Sequence, residues 1–227
     1  MKRANVVSVR SLLSGAARYR PVLSHRGFIW TPTDVAELLV DLELAAREDE
    51  LEEDDNAPDA RFYLGVMTVN RERHSQYVVI DGQQRLATLA MLLAFCRDRI
   101  EDSRERQRLD RMLVRRSMAH APEPRIRLSP EDHAWFSHFI LPPGATTRLP
   151  AQPPIGSPRP LLLAARFMEQ AFISYHQDDL LRIADYVCFH AAVIRTVTDP
   201  RNSWMPQLPA PQRSQLSDSS HYGIAAE

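Results

Sequence analysis

Val35, Leu38, Leu39 and Leu42 fall at i, i+3, i+4 and i+7, the spacing that lines up apolar side chains on one face of a helix. Thr31 followed by Pro32 marks the start of that helix: a threonine oxygen can take a first-turn N–H, and the fixed φ of proline suits the first helical position. The pattern then gives way to an acidic run, Glu48 to Asp55, which reads as a solvated loop. Residues 61–70 are rich in β-formers and predict a strand. The polar residues 71–76 turn it back into a second, buried-type strand at 77–80. Directly after it, Leu86, Leu89 and Leu93 predict a helix running to about Ile100.

The remaining segments are shorter or more polar. Residues 8–17 predict a short helix stopped by Gly15. Residues 101–117 mix both charges and predict an exposed helix. Its arginines (Arg104, Arg106, Arg108, Arg111, Arg115, Arg116) could meet a nucleic-acid backbone, although the interleaved acids favour a solvated face. Residues 125–128 predict a short strand, and Ser129-Pro130 the start of another helix. In that helix His133 and His138 are five apart, hence on different faces and a poor metal pair. A proline-loaded loop (141–160) leads to a helix (161–175), then a helix and an apolar strand within 178–198. Asp199-Pro200 ends that strand. Beyond it, residues 201–227 have no periodicity and read as a disordered tail.

These elements predict an α+β fold: a small mixed sheet from segments near 20, 61–70, 77–80 and 125–128, with helices packed over it. The strand at 189–198 either joins that sheet or begins a helical second lobe. The expected organisation is a domain over 1–140, a partial helical extension over 141–200 and a tail over 201–227.

Composition narrows the chemistry. With 227 residues, 44% of them hydrophobic, the chain can bury a core of its own, and a formal net charge of -1 gives no global pull toward nucleic acid. Lys2 is the only lysine, which excludes a phosphate loop ending in Gly-Lys-Ser/Thr and argues against Schiff-base and lysine general-base mechanisms. Cys96 and Cys188 have no partner spacing, which fits a reducing compartment. Ser8, Arg10 and Ser11 interrupt any apolar signal-peptide core, and no apolar run approaches the roughly 18 residues of a membrane span. The expectation is a cytoplasmic protein with no membrane contact.

One stretch concentrates the polar chemistry: Asp81-Gly82-Gln83-Gln84-Arg85, between the strand at 77–80 and the helix that follows. A strand that turns through a glycine into a helix aims the free N–H groups of the first helical turn at one spot, a ready anion site. Asp81 adds a carboxylate for a metal or a water, Gln83 and Gln84 two amides, and Arg85 a guanidinium suited to phosphate. Gly65, on the neighbouring strand, permits close backbone approach to a ligand. Thr88 lies three residues beyond Arg85, where its hydroxyl could reach a phosphate or bond back to a helix carbonyl. A purely structural reading, in which Asp81 and Gly82 cap a helix, leaves the two glutamines and the arginine without a reason.

The stretch Val79-Ile80-Asp81-Gly82-Gln83-Gln84-Arg85-Leu86-Ala87-Thr88-Leu89 resembles the Asp-Gly-Gln-Gln-Arg signature of the GmrSD-type restriction-endonuclease N-terminal domain family, related in fold to ParB-type partition proteins and sulfiredoxin. Phe62-Tyr63-Leu64-Gly65 resembles the family's Tyr-Phe-Leu-Gly element. Arg26, Phe28 and Trp30 align with part of its Gln-Arg-x-Tyr-x-Trp segment. The chain departs from that segment at Val22, Ser24 and His25, and lacks the Phe-x-x-Leu-Asn-x-x-Gly segment and the HNH nuclease domain of many family members. The tail is therefore read as a premature end or shifted frame, which a homologous continuation at the source locus would bear out and its lack in every frame would refute.

The resemblance implies a nucleotide-binding, NTP-hydrolysing domain of a DNA restriction or phage-defence system, working on an NTP with Mg²⁺. Asp81, Gln83, Gln84 and Arg85 are then the catalytic candidates, with Asp81 also the metal ligand. Gly65, Gly82, Arg26 and Thr88 are the nucleotide-binding candidates. Implied partners are DNA, including modified DNA, and a separate HNH nuclease subunit. The alternative is a DNA- or partner-binding module without turnover.

Overall fold

The structure, a computed structural model, describes residues 3–22, 27–51, 61–118, 121–151 and 158–198. They form seven strands and seven α-helices. In chain order they are β1 (Arg3–Ser8), α1 (Val9–Leu12), β2 (Arg18–Pro21), α2 (Pro32–Leu51), β3 (Phe62–Arg73), β4 (Gln76–Asp81) and α3 (Gln83–Arg99). There follow α4 (Ser103–Leu113), β5 (Val114–Arg115), β6 (Glu123–Pro124), α5 (Pro130–Phe139), α6 (Arg159–Ala171), α7 (Gln177–Asp185) and β7 (Ala191–Thr198). The predicted α+β class is what the chain adopts. No helix among the described residues is long and apolar enough to cross a membrane.

Five strands form one mixed sheet in the order β1-β7-β3-β4-β2. The β3–β4 hairpin was legible from its polar turn, which closes through Ser75 at φ 62°. β2 joins β4 in parallel, where Tyr19 stacks on Tyr77 with ring centroids 5.4 Å apart. Burial pushes the Tyr19 hydroxyl up to about 12 against the opposing pull of Arg195, so it stays protonated at any physiological pH. β7 pairs in parallel with β3 and antiparallel with β1, which decides between the two predicted places for the strand at 189–198. Residues beyond 140 thus return to the sheet of the first 140. Helix α6 packs on α2 and α3 as well.

Two predicted elements differ. Residues 125–128 form no strand; only Ile126 makes an isolated bridge to Tyr19, because the Arg125 side chain folds inward to donate to the carbonyls of Arg111 and Gly15. And α2 does not stop before the acidic run but continues through Glu48 and Asp49 to Leu51, where Asp49 pairs with Arg61. Capping signals, by contrast, were reliable. Thr31 and Asp34 exchange hydrogen bonds at the start of α2, and Ser129 accepts the Asp132 N–H at the start of α5.

Helix α3 is the centre of the fold. Every residue from Leu86 to Arg97 is buried, so its predicted apolar stripe belongs to a helix covered on all sides, by α4, α6 and α7 among others. Cys96 lies within it and Cys188 in a π-helical turn after α7; burial pushes both thiols well above their ordinary range, and neither pairs.

At the far end of α3 sits a charge in the core. Arg97, 2% exposed, donates from Nε to Asp98 (2.7 Å), from Nη1 to the Leu141 carbonyl (2.7 Å) and from Nη2 to the carbonyls of Ile140 (3.1 Å) and Pro142 (2.9 Å). Asp110 of α4 stands 3.4 Å from Nη1. Asp98 in turn accepts the backbone N–H groups of Gly144 (2.8 Å) and Thr146 (3.0 Å). Helices α3 and α4 and the loop after α5 are tied at one point. Arg97→Met leaves those acceptors and the buried Asp98 without their cation. It should therefore lower the urea-unfolding free energy by about 3–5 kcal/mol; a loss below about 1 kcal/mol would show the cluster to be dispensable.

Candidate functional site

The near end of α3 is the Asp81–Arg85 turn. β4 ends at Asp81, and Gly82 takes the left-handed conformation (φ 95°, ψ 7°) that starts the helix. A side chain there would be strained by the backbone and would also meet the Met67 side chain at 3.2 Å, so glycine is required twice over. Among the described residues no side chain caps the first turn of α3. Asp81 is exposed; its Oδ1 accepts the Gly82 N–H at 2.8 Å, and Oδ2 carries no hydrogen bond among the described residues.

Arg85 and Gly65 are brought together. The guanidinium lies over Gly65, where a Cβ would come within 3.4 Å of Nη2, and donates from Nη1 to the Val66 carbonyl at 3.3 Å. Gly65 itself has φ 94° and sits where the β3–β7 register slips between Tyr63 and Val66, a bulge that makes room for the arginine. Arg85 remains half-buried, and its other terminal nitrogen makes no hydrogen bond among the described residues.

The two glutamines diverge. Gln84 turns to the segment before α2: its Oε1 accepts the Ile29 N–H (2.9 Å), and its Nε2 donates to the Gly27 carbonyl (3.1 Å). It clamps both sides of one stretch of backbone. Gln83 is buried at 5% exposure with Oε1 unpartnered, and Thr88 is buried at 1% with its hydroxyl unpartnered. Arg26, the remaining candidate, lies outside the described residues.

The clamp has a second jaw that the sequence reading missed. Asp132 of α5, 2% exposed, accepts the Phe28 N–H (2.5 Å) and the Ser129 hydroxyl (2.9 Å) through Oδ2. A Cβ on Gly27 would stand 2.9 Å from the same oxygen, so that glycine serves close approach rather than a turn. The available signal was Ser129-x-x-Asp132 before an apolar run, read only as a helix start. Residues 27–29 are thus held from one side by the motif and from the other by α5. No cluster of three or more metal-ligating side chains occurs among the described residues.

The model of the GmrSD restriction endonuclease N-terminal domain family matches residues 23–145, more than half of the chain. The chain belongs to this family. No curated protein matches it. The GmrSD match takes in Arg26, Gly65 and Asp81 to Thr88, and it ends within the loop that Arg97 and Asp98 hold. It leaves out β1, β2 and β7, three of the five strands of the sheet. Membership of the GmrSD family implies a role in a restriction-type defence system.

The geometry makes Gln84 testable by itself. Gln84→Met keeps the volume and removes two hydrogen bonds of about 1 kcal/mol each. Amide hydrogen exchange at Ile29 should then quicken by roughly tenfold or more, while exchange in the β3–β4 hairpin stays as it was. Unchanged exchange at Ile29 would show that the clamp does not hold the segment.

Proposed function

We propose that this domain binds a nucleoside triphosphate at the Asp81–Arg85 turn and hydrolyses it, and that this turnover licenses DNA cleavage, including that of modified DNA, by a separate HNH nuclease subunit. The observation that carries the reading is the first turn of α3. Its N–H groups are uncapped by any side chain of the described residues, open from a left-handed glycine, and sit beside an exposed carboxylate and a guanidinium held over Gly65.

Each group then has a role. The amides following Gly82 cradle phosphate oxygens. Arg85, already aimed by the Val66 carbonyl, stabilises charge on the transferred phosphoryl group. Asp81 orients the attacking water or a metal through its free Oδ2. The donor set suits Mg²⁺, which is commonly held by one or two carboxylates together with substrate phosphates and would supply neutralisation of the phosphate charge. Gln84 is a positioning residue: through Gly27 and Ile29 it fixes the backbone that leads back to Arg26. Gln83 and Thr88 present buried, unpartnered oxygens behind the turn.

A second reading, binding of DNA or a protein partner without turnover, draws on one observation. Gln84 is committed to backbone and Gln83 is buried, so fewer polar groups face a ligand than the length of the motif suggests.

Labelled ATP, GTP and CTP with Mg²⁺, offered to the wild type, Asp81→Ala and Arg85→Ala, separate the two. Binding of at least one nucleotide, weakened tenfold or more by Arg85→Ala, with phosphate release abolished by Asp81→Ala, is the expected outcome. A wild type that binds none of the three overturns the nucleotide reading; binding without phosphate release leaves the module without turnover.

A further inference from the structure

Helix α4 carries Arg104, Gln107, Arg108 and Arg111 at i, i+3, i+4 and i+7, one continuous face. That face does not meet open solvent alone. It forms one wall of a groove of about 520 Å³ whose opposite wall is Arg10 and the loop after α1, and whose floor includes Arg125. Five arginines from three separate parts of the chain converge there, and no aspartate or glutamate among the described residues lines the groove.

The groove arginines differ in pairing from the two arginines that follow α4. Arg116 is matched to Asp110, and Arg115 to Glu123. Arg108, at the rim, is matched to Glu105 and Asp185. Arg10, Arg104, Arg111 and Arg125 have no ion-pair partner among the described residues. The nearby Asp102 is already engaged, accepting the N–H groups of Arg104 and Glu105 at the start of α4.

Two features show that the groove is built rather than incidental. Arg125 is 6% exposed and fixed by its other nitrogens: Nε donates to the Arg111 carbonyl (2.7 Å) and Nη1 to the Gly15 carbonyl (2.8 Å), while Nη2 makes no hydrogen bond among the described residues, and the residue lines the groove. Burial first, and then Arg115, pull its proton affinity down, an unfavourable setting that an anion would reverse. In addition, Arg10 and Arg108 both lie over the Phe189 ring, at 4.9 and 5.3 Å from its centroid, so one aromatic holds two like charges near each other.

We infer that the groove between α1 and α4 is a phosphate-binding site, separate from the Asp81–Arg85 turn, recognising a phosphate-rich anion by the guanidinium groups of Arg10, Arg104, Arg111 and Arg125. Guanidinium forks match phosphate oxygens two by two, and the volume lies in the range of ligand sites, enough for several linked phosphates. The same chemistry is offered by the backbone of a nucleic acid and by a free polyphosphate chain.

The test compares the full chain with Arg104→Ala/Arg111→Ala and with Arg73→Ala/Arg106→Ala, which removes the same charge outside the groove. Neither pair of residues makes an ion pair among the described residues, and Arg104, Arg106, Arg111 and Arg73 are all exposed, so the folded state is expected to tolerate both variants. The probes are a short labelled DNA duplex and inorganic tripolyphosphate. The groove variant should weaken at least one probe tenfold or more relative to the control variant. For the duplex, the slope of log affinity against log salt should also become shallower by roughly 0.9 per lost contact. Loss confined to the duplex assigns the site to a nucleic-acid backbone, and loss of tripolyphosphate assigns it to a free phosphorylated ligand. The inference is overturned if the wild type binds neither probe, or if the two variants bind both alike. Nucleotide binding at the Asp81–Arg85 turn is read separately through Arg85→Ala, so either proposal can fail without the other.

Discussion

A guanidinium in the core sets the terms for this fold. Arg97 is fully enclosed at the C-terminal end of α3, and a charge in that position is tolerated only when every donor finds an acceptor. Two carboxylates and three successive carbonyls meet that demand. Such clusters add little stability over an apolar filling, but they are selective: any other path of the loop after α5, or any other angle of α4, leaves a buried charge exposed to nothing. Arg97 therefore specifies how the helical layer closes.

The opposite end of the same helix is polar for a different reason. Between Leu86 and Arg97 nothing reaches solvent, so α3 behaves as a rigid axle with a polar hub at each end. The C-terminal hub is saturated. The N-terminal hub is not: among the described residues nothing caps the first-turn amides after Gly82, and Gln83 and Thr88 keep unpartnered oxygens. Unmet hydrogen-bonding capacity next to a helix that cannot shift is what a preorganised binding site requires. Gln84 and Asp132 extend the rigidity to residues 27–29 by gripping them from two elements that are 48 residues apart in sequence.

Much of this was legible in the residues. Periodicity placed α2 and α3, the turn chemistry placed the β3–β4 hairpin, and Thr31 and Ser129 marked their helix starts, because each is a local signal. Non-local effects were hidden. Residues 3–8 gave no strand signal, since β1 is specified by its partner β7 rather than by its own side chains. Arg125 looked like a strand residue until its side chain was seen bonded to Gly15, 110 positions away. Arg97 was not singled out by any local pattern, and Gln84 was read as a ligand-facing amide. Both spend their hydrogen bonds on backbone from distant segments, which no spacing rule reveals. The Asp-Gly-Gln-Gln-Arg stretch stood out because five such residues together are uncommon, but its division into turn, clamp and buried oxygen is a matter of tertiary contacts.

The place of β7 bears on how the chain comes to be folded at all. This strand, the last of the described elements, lies between β1, the first, and β3. A nascent chain that has already emerged through α6 holds β2, β3 and β4 but has no sheet partner to offer β1, which touches the sheet only through β7. Bringing residues 3–8 against 191–198 closes a loop of nearly the whole described chain, and parallel insertion beside β3 adds a second long-range pairing. Folding with such separations is slow, because loop entropy is lost before contacts are gained. Until β7 arrives, the β3 edge is open, with Tyr63 and Val66 beside it, so the emerging chain passes through a stage in which an unpaired apolar strand is available to chaperones and to other copies of itself.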